Sequence, residues 1–233
     1  MKHPGHDVAI KLFSACSVHE RCRRALRRKA SWRASPFTMS IEIFGDSLMR
    51  GPGISMAVPR TMMSLRPGWV VEDRSAIGLL MQDLVLGYKE PYPGAPADAY
   101  PLGPQPAFNA IRRRGQIIVI GLGLNDALEM RSVEQYETDL RDVLRVVHSE
   151  WRTPILTGIV DVPVADLFTP ERVQRRNELN QVTHRVAEQL GVSHAGWGED
   201  YRGVGDVIDN IHRTQAASDR LAALLVNAIE RTF

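Results

Sequence analysis

Cysteine is almost missing: the 233 residues contain only Cys16 and Cys22. Residues 39–233 can therefore form neither a disulfide nor a thiolate metal site, and their stability has to come from packing. Long apolar runs are missing too. None approaches the ~18 residues that a membrane span needs, so no membrane span is expected. A cleavable leader is also lacking, because "VAIKLFSACSV" (8–18) is short and broken by Lys11, and only "FSAC" resembles a lipoprotein cleavage box. These absences point to a soluble, cytoplasmic protein.

What is present is ordinary globular material, 44% hydrophobic and 24% charged, enough for one well-filled domain. The net charge of +2 conceals an uneven distribution. Residues 1–38 hold nine Lys/Arg against Asp7 and Glu20, a local charge of +7, which leaves −5 for the remainder. "HERCRRALRRKASWR" could bind an acidic surface through charge alone. With few core-forming residues, the segment reads instead as a disordered basic extension, or as coding sequence upstream of a start at Met39. No nucleic-acid partner is expected. "HPGHD" (3–7) is a His pair in a tail, not a metal site.

From Met39 the pattern alternates. Strands are expected at "IEIF" (41–44), "WVVED" (69–73), "QIIVIGL" (116–122), "PILTGIV" (154–160) and "VSHAGW" (192–197). Ser132 and Gln135 form a capping box ahead of a helix with the stripe Val133, Tyr136, Leu140, Val143, Leu144, Val147. Thr169-Pro170 opens a second helix that Gly191 stops, and a third runs from about Gln215. Strand–helix alternation of this kind predicts an α/β fold with a mainly parallel sheet covered on both faces, because parallel neighbours need crossovers.

Active sites in such sheets lie past the carboxyl ends of the strands. Four stretches fall there: "FGDSL" (44–48), the isolated Gly78, "GLND" (123–126) and "DNIH" (209–212). In this order they resemble the four sequence blocks of the SGNH, or GDSL, hydrolases, over about residues 41–230. The resemblance implies a flavodoxin-like three-layer α/β/α sandwich with a five-stranded sheet, with Ser47 as nucleophile, Gly78 and Asn125 in the oxyanion hole, His212 as base and Asp209 as its orienting carboxylate. The chain departs from the family pattern at Asp73 and Ser75, where the second block usually has Asn and Gly, and at Arg213, where Pro usually follows the histidine.

The chemistry of the residues leads to the same roles. A serine hydroxyl is a poor nucleophile until a base takes its proton, and imidazole is the usual base near neutral pH. Of seven histidines, only His212 has a carboxylate, Asp209, at a spacing one tight turn can close. The Ser47 and Gly78 N–H groups and the Asn125 amide are candidate donors to a developing oxyanion. Asp46 and Asp126 are expected to hold loop backbone. Residues 88–106 carry six of the fourteen prolines and three tyrosines, and this loop is expected to border the substrate pocket with Tyr88, Tyr92 or Tyr100 facing the leaving group.

Two rival enzymes fail on missing glycines. "GLGLND" has Asp126 where a dinucleotide fingerprint needs its third glycine, and Met49 stands where a nucleophile elbow needs its second. The expected function is a serine esterase acting on a small-molecule or glycan-linked ester, short acyl or acetyl groups first, through an acyl-enzyme and with no cofactor or metal. A lysophospholipase, an acyl-thioesterase and an inactive binding module on the same fold are the alternatives. Oligomeric state is not legible.

Overall fold

β-Branched runs become strands where both faces can be covered, and the central one, β3 (Ile117–Gly121), is buried at every residue. It is flanked by β1 (Met39–Gly45) and β4 (Thr153–Leu156), with β2 (Trp69–Asp73) and β5 (Ser193–His194) at the edges. The order is β2-β1-β3-β4-β5, and every pair is parallel. This computed structural model describes residues 38–88, 94–95 and 97–233. Residues 1–37 of the basic extension 1–38, expected to be disordered, and Tyr92 lie outside the described residues.

The helices are α1 (Ser47–Arg50), α2 (Val58–Leu65), α3 (Met81–Leu86), α4 (Leu124–Leu128), α5 (Val133–Ser149), α6 (Pro170–Leu190) and α7 (Gln215–Glu230). Their ends follow the expected signals. The Ser132 hydroxyl accepts from Gln135 N–H at 3.2 Å, Pro170 stands in the first turn of α6, and Gly191 ends it with φ 64°. From β1 the chain moves outward to β2 on one side, and from β3 through β4 to β5 on the other. Right-handed crossovers therefore put α2 on one face and α5 and α6 on the other. In agreement, α2 packs with α7, and α5 packs with α3 and α6.

Two strands are shorter than expected. β4 stops at Leu156 rather than running to residue 160, because Gly158 turns the chain with φ 82°. β5 spans two residues of the expected six, cut off by Gly196 at φ 73° and the tight turn Trp197–Glu199. Both changes put loop where strand was read, at the carboxyl end of the sheet.

The reversal of strand order between β1 and β3 opens a crevice past their carboxyl ends. There Gly45 and Gly121 sit side by side in register. A β-carbon on Gly45 would lie 2.4 Å from Met49 Cγ, and one on Gly121 would lie 2.8 Å from Met49 Cε. The two glycines thus admit the Met49 side chain across the strand ends, and this close seating brings α1, with Ser47, down onto the sheet.

Candidate active site

Ser47 opens the single turn of α1. Asp46 precedes it as the N-cap, its Oδ1 accepting Leu48 N–H at 2.9 Å, and Gly51 closes the turn in the left-handed region, donating to Ser47 O at 2.9 Å. The hydroxyl is thereby held at the crevice by backbone on both sides.

His212 arrives from the far end of the chain on a small hairpin. Ile208 N–H donates to His212 O at 2.8 Å and Thr214 N–H to Asp206 O at 2.9 Å, with Val207 and Arg213 paired between them. At the tip Asn210 adopts φ 66°, and Asp209 Oδ1 accepts the N–H groups of Ile211 (3.1 Å) and His212 (2.8 Å). Asp209 Oδ2 lies 2.7 Å from His212 Nδ1, and His212 Nε2 lies 3.0 Å from Ser47 Oγ. A carboxylate at Nδ1 assigns the ring proton to that nitrogen, leaving the Nε2 lone pair to accept from the serine hydroxyl. Burial tends to raise the Asp209 carboxyl, but hydrogen bonds from the ring and backbone of His212 and from Ile211 N–H hold it below the ordinary range.

The other expected donors, Gly78 and Asn125, lie on the turn before α3 and on α4. Gly78 has φ 80°, in a turn tied to the sheet by Ala76 N–H on Gly45 O (3.0 Å) and to the Pro-rich loop by Ile77 N–H on Ala99 O (2.9 Å). Asn125, on α4, directs Nδ2 to Leu79 O at 3.2 Å and to Asp46 Oδ2 at 3.4 Å, so the amide bridges the Gly78 turn and the Ser47 cap. The second contact is long for an N–H···O hydrogen bond.

Asp46 and Asp126 form the floor. Both carboxyls are buried, and burial pushes each up to about 7. Asp126 accepts Met81 N–H at 3.0 Å, which clamps the start of α3 to α4 and so holds the Gly78–Leu80 turn against Asn125. A raised carboxyl means that the folded chain keeps a proton the unfolded chain releases. The stabilisation is full below about pH 4 and is lost as pH rises through about 7. Asp126→Asn copies the protonated form. Its melting temperature relative to wild type should therefore climb from pH 5 to about pH 7 and level off above that, as thermal melts at several pH values would read; a constant difference would mean that Asp126 does not titrate in this window.

Tyr88 and Tyr100 pack against each other at the loop. The Tyr88 and Tyr100 rings meet edge to face at 5.0 Å, Tyr88 is buried in the core, and its backbone pairs with Gln105 in both directions at 2.8 and 3.0 Å. Tyr88 thus closes the base of the loop, its apolar ring packed into the core.

Among the described residues one group, His184, His194 and Glu199, brings three metal-ligand atoms within 4.8 Å of one another. The two rings stack with centroids 3.9 Å apart at 36°. His194 Nδ1 accepts Gly196 N–H at 3.0 Å, which leaves the ring proton on Nε2, and burial pushes this histidine down to about 4. His184 Nε2 is 2.8 Å from Glu199 Oε1. The trio fits a hydrogen-bonded pair beside a neutral packing imidazole, not a ligand set.

The model of the GDSL-like lipase/acylhydrolase family matches residues 43–220, a span that includes Ser47, Gly78, Asn125, Asp209 and His212. No curated protein matches the chain in sequence. Solved structures do. A member of the lipolytic G-D-S-L family from Veillonella parvula is 14% identical with a TM-score of 0.62, covering 83% of this chain and 100% of its own. A lipase/acylhydrolase from Enterococcus faecalis is 19% identical, with a TM-score of 0.60 and coverage of 84% and 97%. A catalytic mutant of an acetylxylan esterase from Geobacillus stearothermophilus is 14% identical, with a TM-score of 0.59 and coverage of 84% and 96%. At these identities the likeness is one of fold.

Proposed function

Since this chain belongs to the GDSL-like lipase/acylhydrolase family, we propose that it is a serine hydrolase that cleaves carboxylic esters through an acyl-enzyme, short acyl and acetyl esters ahead of long ones. The observation that carries this reading is the continuous path from Asp209 through His212 to Ser47, at 2.7 and 3.0 Å. His212 Nε2 takes the serine proton as Oγ attacks the acyl carbon, and Asp209 stabilises the imidazolium that forms. The tetrahedral oxygen is met by N–H groups of Ser47 and Gly78 and by the Asn125 amide, each donor contributing about 3–4 kcal/mol. The imidazolium returns its proton to the departing alcohol, the acyl group stays on Ser47, and water repeats the sequence to release the acid.

The preference for short acyl groups rests on the absence of a long apolar lid from the sequence pattern, and an acetylxylan esterase among the structural neighbours accords with it. A second reading, a longer acyl chain as in a lysophospholipid or acyl thioester, is favoured by apolar side chains near the site. Ile208, whose N–H bonds to His212 O, is 52% exposed, its Cδ1 faces Gly53 in the loop after Ser47, and Met56 in that loop is 40% exposed. A series of p-nitrophenyl esters from acetate to palmitate separates the readings. Highest kcat/KM for acetate or butyrate supports the first, and a maximum at octanoate or beyond supports the second. A folded protein inert to every ester and to a fluorophosphonate would instead be a binding module.

A further inference from the structure

We infer that Arg213, which stands where the family block usually has proline, is a positioning residue that seats His212 against Ser47. The inference rests on the esterase reading and adds a residue to its machinery. Asp209 and His212 share one hairpin, so their contact is local, three residues apart. The His212–Ser47 contact joins positions 165 residues apart, and its length depends on how the hairpin is seated on the body of the protein.

Arg213 is well placed to set that seating. It pairs with Val207 across the hairpin, and adjacent residues of an extended segment point to opposite faces. With His212 turned to Ser47, the Arg213 side chain turns inward and is 95% buried by its 5% exposure. Its Nη2 donates to Asp161 O at 2.5 Å, in the loop that follows β4, and its guanidinium lies over the Tyr201 ring at 5.4 Å from the centroid. On the other side Gln215 Oε1 accepts Ser55 N–H (3.1 Å) and Met56 N–H (3.0 Å), tying the start of α7 to the loop after Ser47. The leg that carries His212 is thus held from both sides, and Arg213 is the side-chain anchor next to His212 in the chain, while Arg220 holds the other leg through Asp206 Oδ2 at 2.7 Å. Proline at this position has neither a donor nor the length to reach Asp161 O.

The test compares wild type, Arg213→Lys and Arg213→Met by rate and extent of fluorophosphonate labelling, and by hydrogen exchange at the amides of Ile208 and Thr214. Lysine can reach one carbonyl but cannot stack its charge as a plane; methionine fills space without a donor. A displacement of about 1 Å at a reacting pair costs on the order of 100-fold. Labelling should therefore reach full stoichiometry about 100-fold more slowly in Arg213→Met and about 10-fold more slowly in Arg213→Lys, with faster exchange at both amides. A reduced fraction labelling at the wild-type rate would show a purely structural role and overturn the inference, and so would unchanged rates. If Arg213→Met does not fold, Arg213→Lys carries the same comparison. Failure of the wild type to label would remove the esterase reading, and amide exchange would then decide the anchor by itself: unchanged exchange overturns it, and faster exchange upholds the seating role.

Discussion

Ser47→Ala should abolish ester turnover, with kcat falling by about five to six orders of magnitude, and should remove fluorophosphonate labelling completely. The size follows from the serine being, among the described residues, the one hydroxyl hydrogen-bonded to His212 Nε2, at 3.0 Å. The fold should not notice the change. The cap from Asp46 goes to Leu48 N–H, and Gly51 N–H bonds to the Ser47 carbonyl, so both contacts that hold α1 use atoms that alanine keeps. Equal melting temperatures together with absent labelling would isolate the hydroxyl as the nucleophile. Labelling that survives in Ser47→Ala would refute the assignment.

Asp209→Asn should lower kcat by about a thousandfold or more while leaving KM and stability nearly unchanged. In the wild type one carboxylate does two jobs: Oδ1 accepts two backbone N–H groups and Oδ2 accepts the His212 Nδ1 proton. Asparagine has a single acceptor oxygen. If that oxygen keeps the backbone N–H groups, the amide NH2 faces Nδ1 and drives the ring proton to Nε2, where the lone pair is needed for Ser47. The Asp209 side chain is 53% exposed, so water can partly replace it, and the loss should fall at the low end of what a fully buried carboxylate would show. Steady-state kinetics of the variant against the best ester of the series reads the effect. A loss under tenfold would mean that Asp209 does not orient the imidazole.

Glycine at positions 45 and 121 illustrates how unevenly the site can be read. The block that carries Ser47 is visible in sequence, yet the reason for Gly45 is a methionine four residues on, and the reason for Gly121, on a different strand, is that same Met49 of α1. Asp126 could be seen only as a loop-holding acid, since its partner Met81 is 45 residues away. Arg213 showed itself as a departure from a family pattern, but Asp161 and Tyr201, which give it work, are linked to it by no sequence spacing. The packing of the Tyr88 ring into the core was not visible in a proline-rich stretch, where no periodicity marks a buried face.

What the chain determined by itself was local: the β-branched runs, the caps at Ser132 and Gly191, the turn that brings Asp209 to His212. Each of these depends on neighbours within a few residues, so spacing along the chain stands in for distance. The meeting of Ser47 with His212, the bridge that Asn125 makes between Leu79 and Asp46, and the anchoring of the hairpin came only with the tertiary structure. They join residues separated by tens to more than a hundred positions, and packing of the sheet and helices, not sequence spacing, sets which of them come within a hydrogen bond of each other.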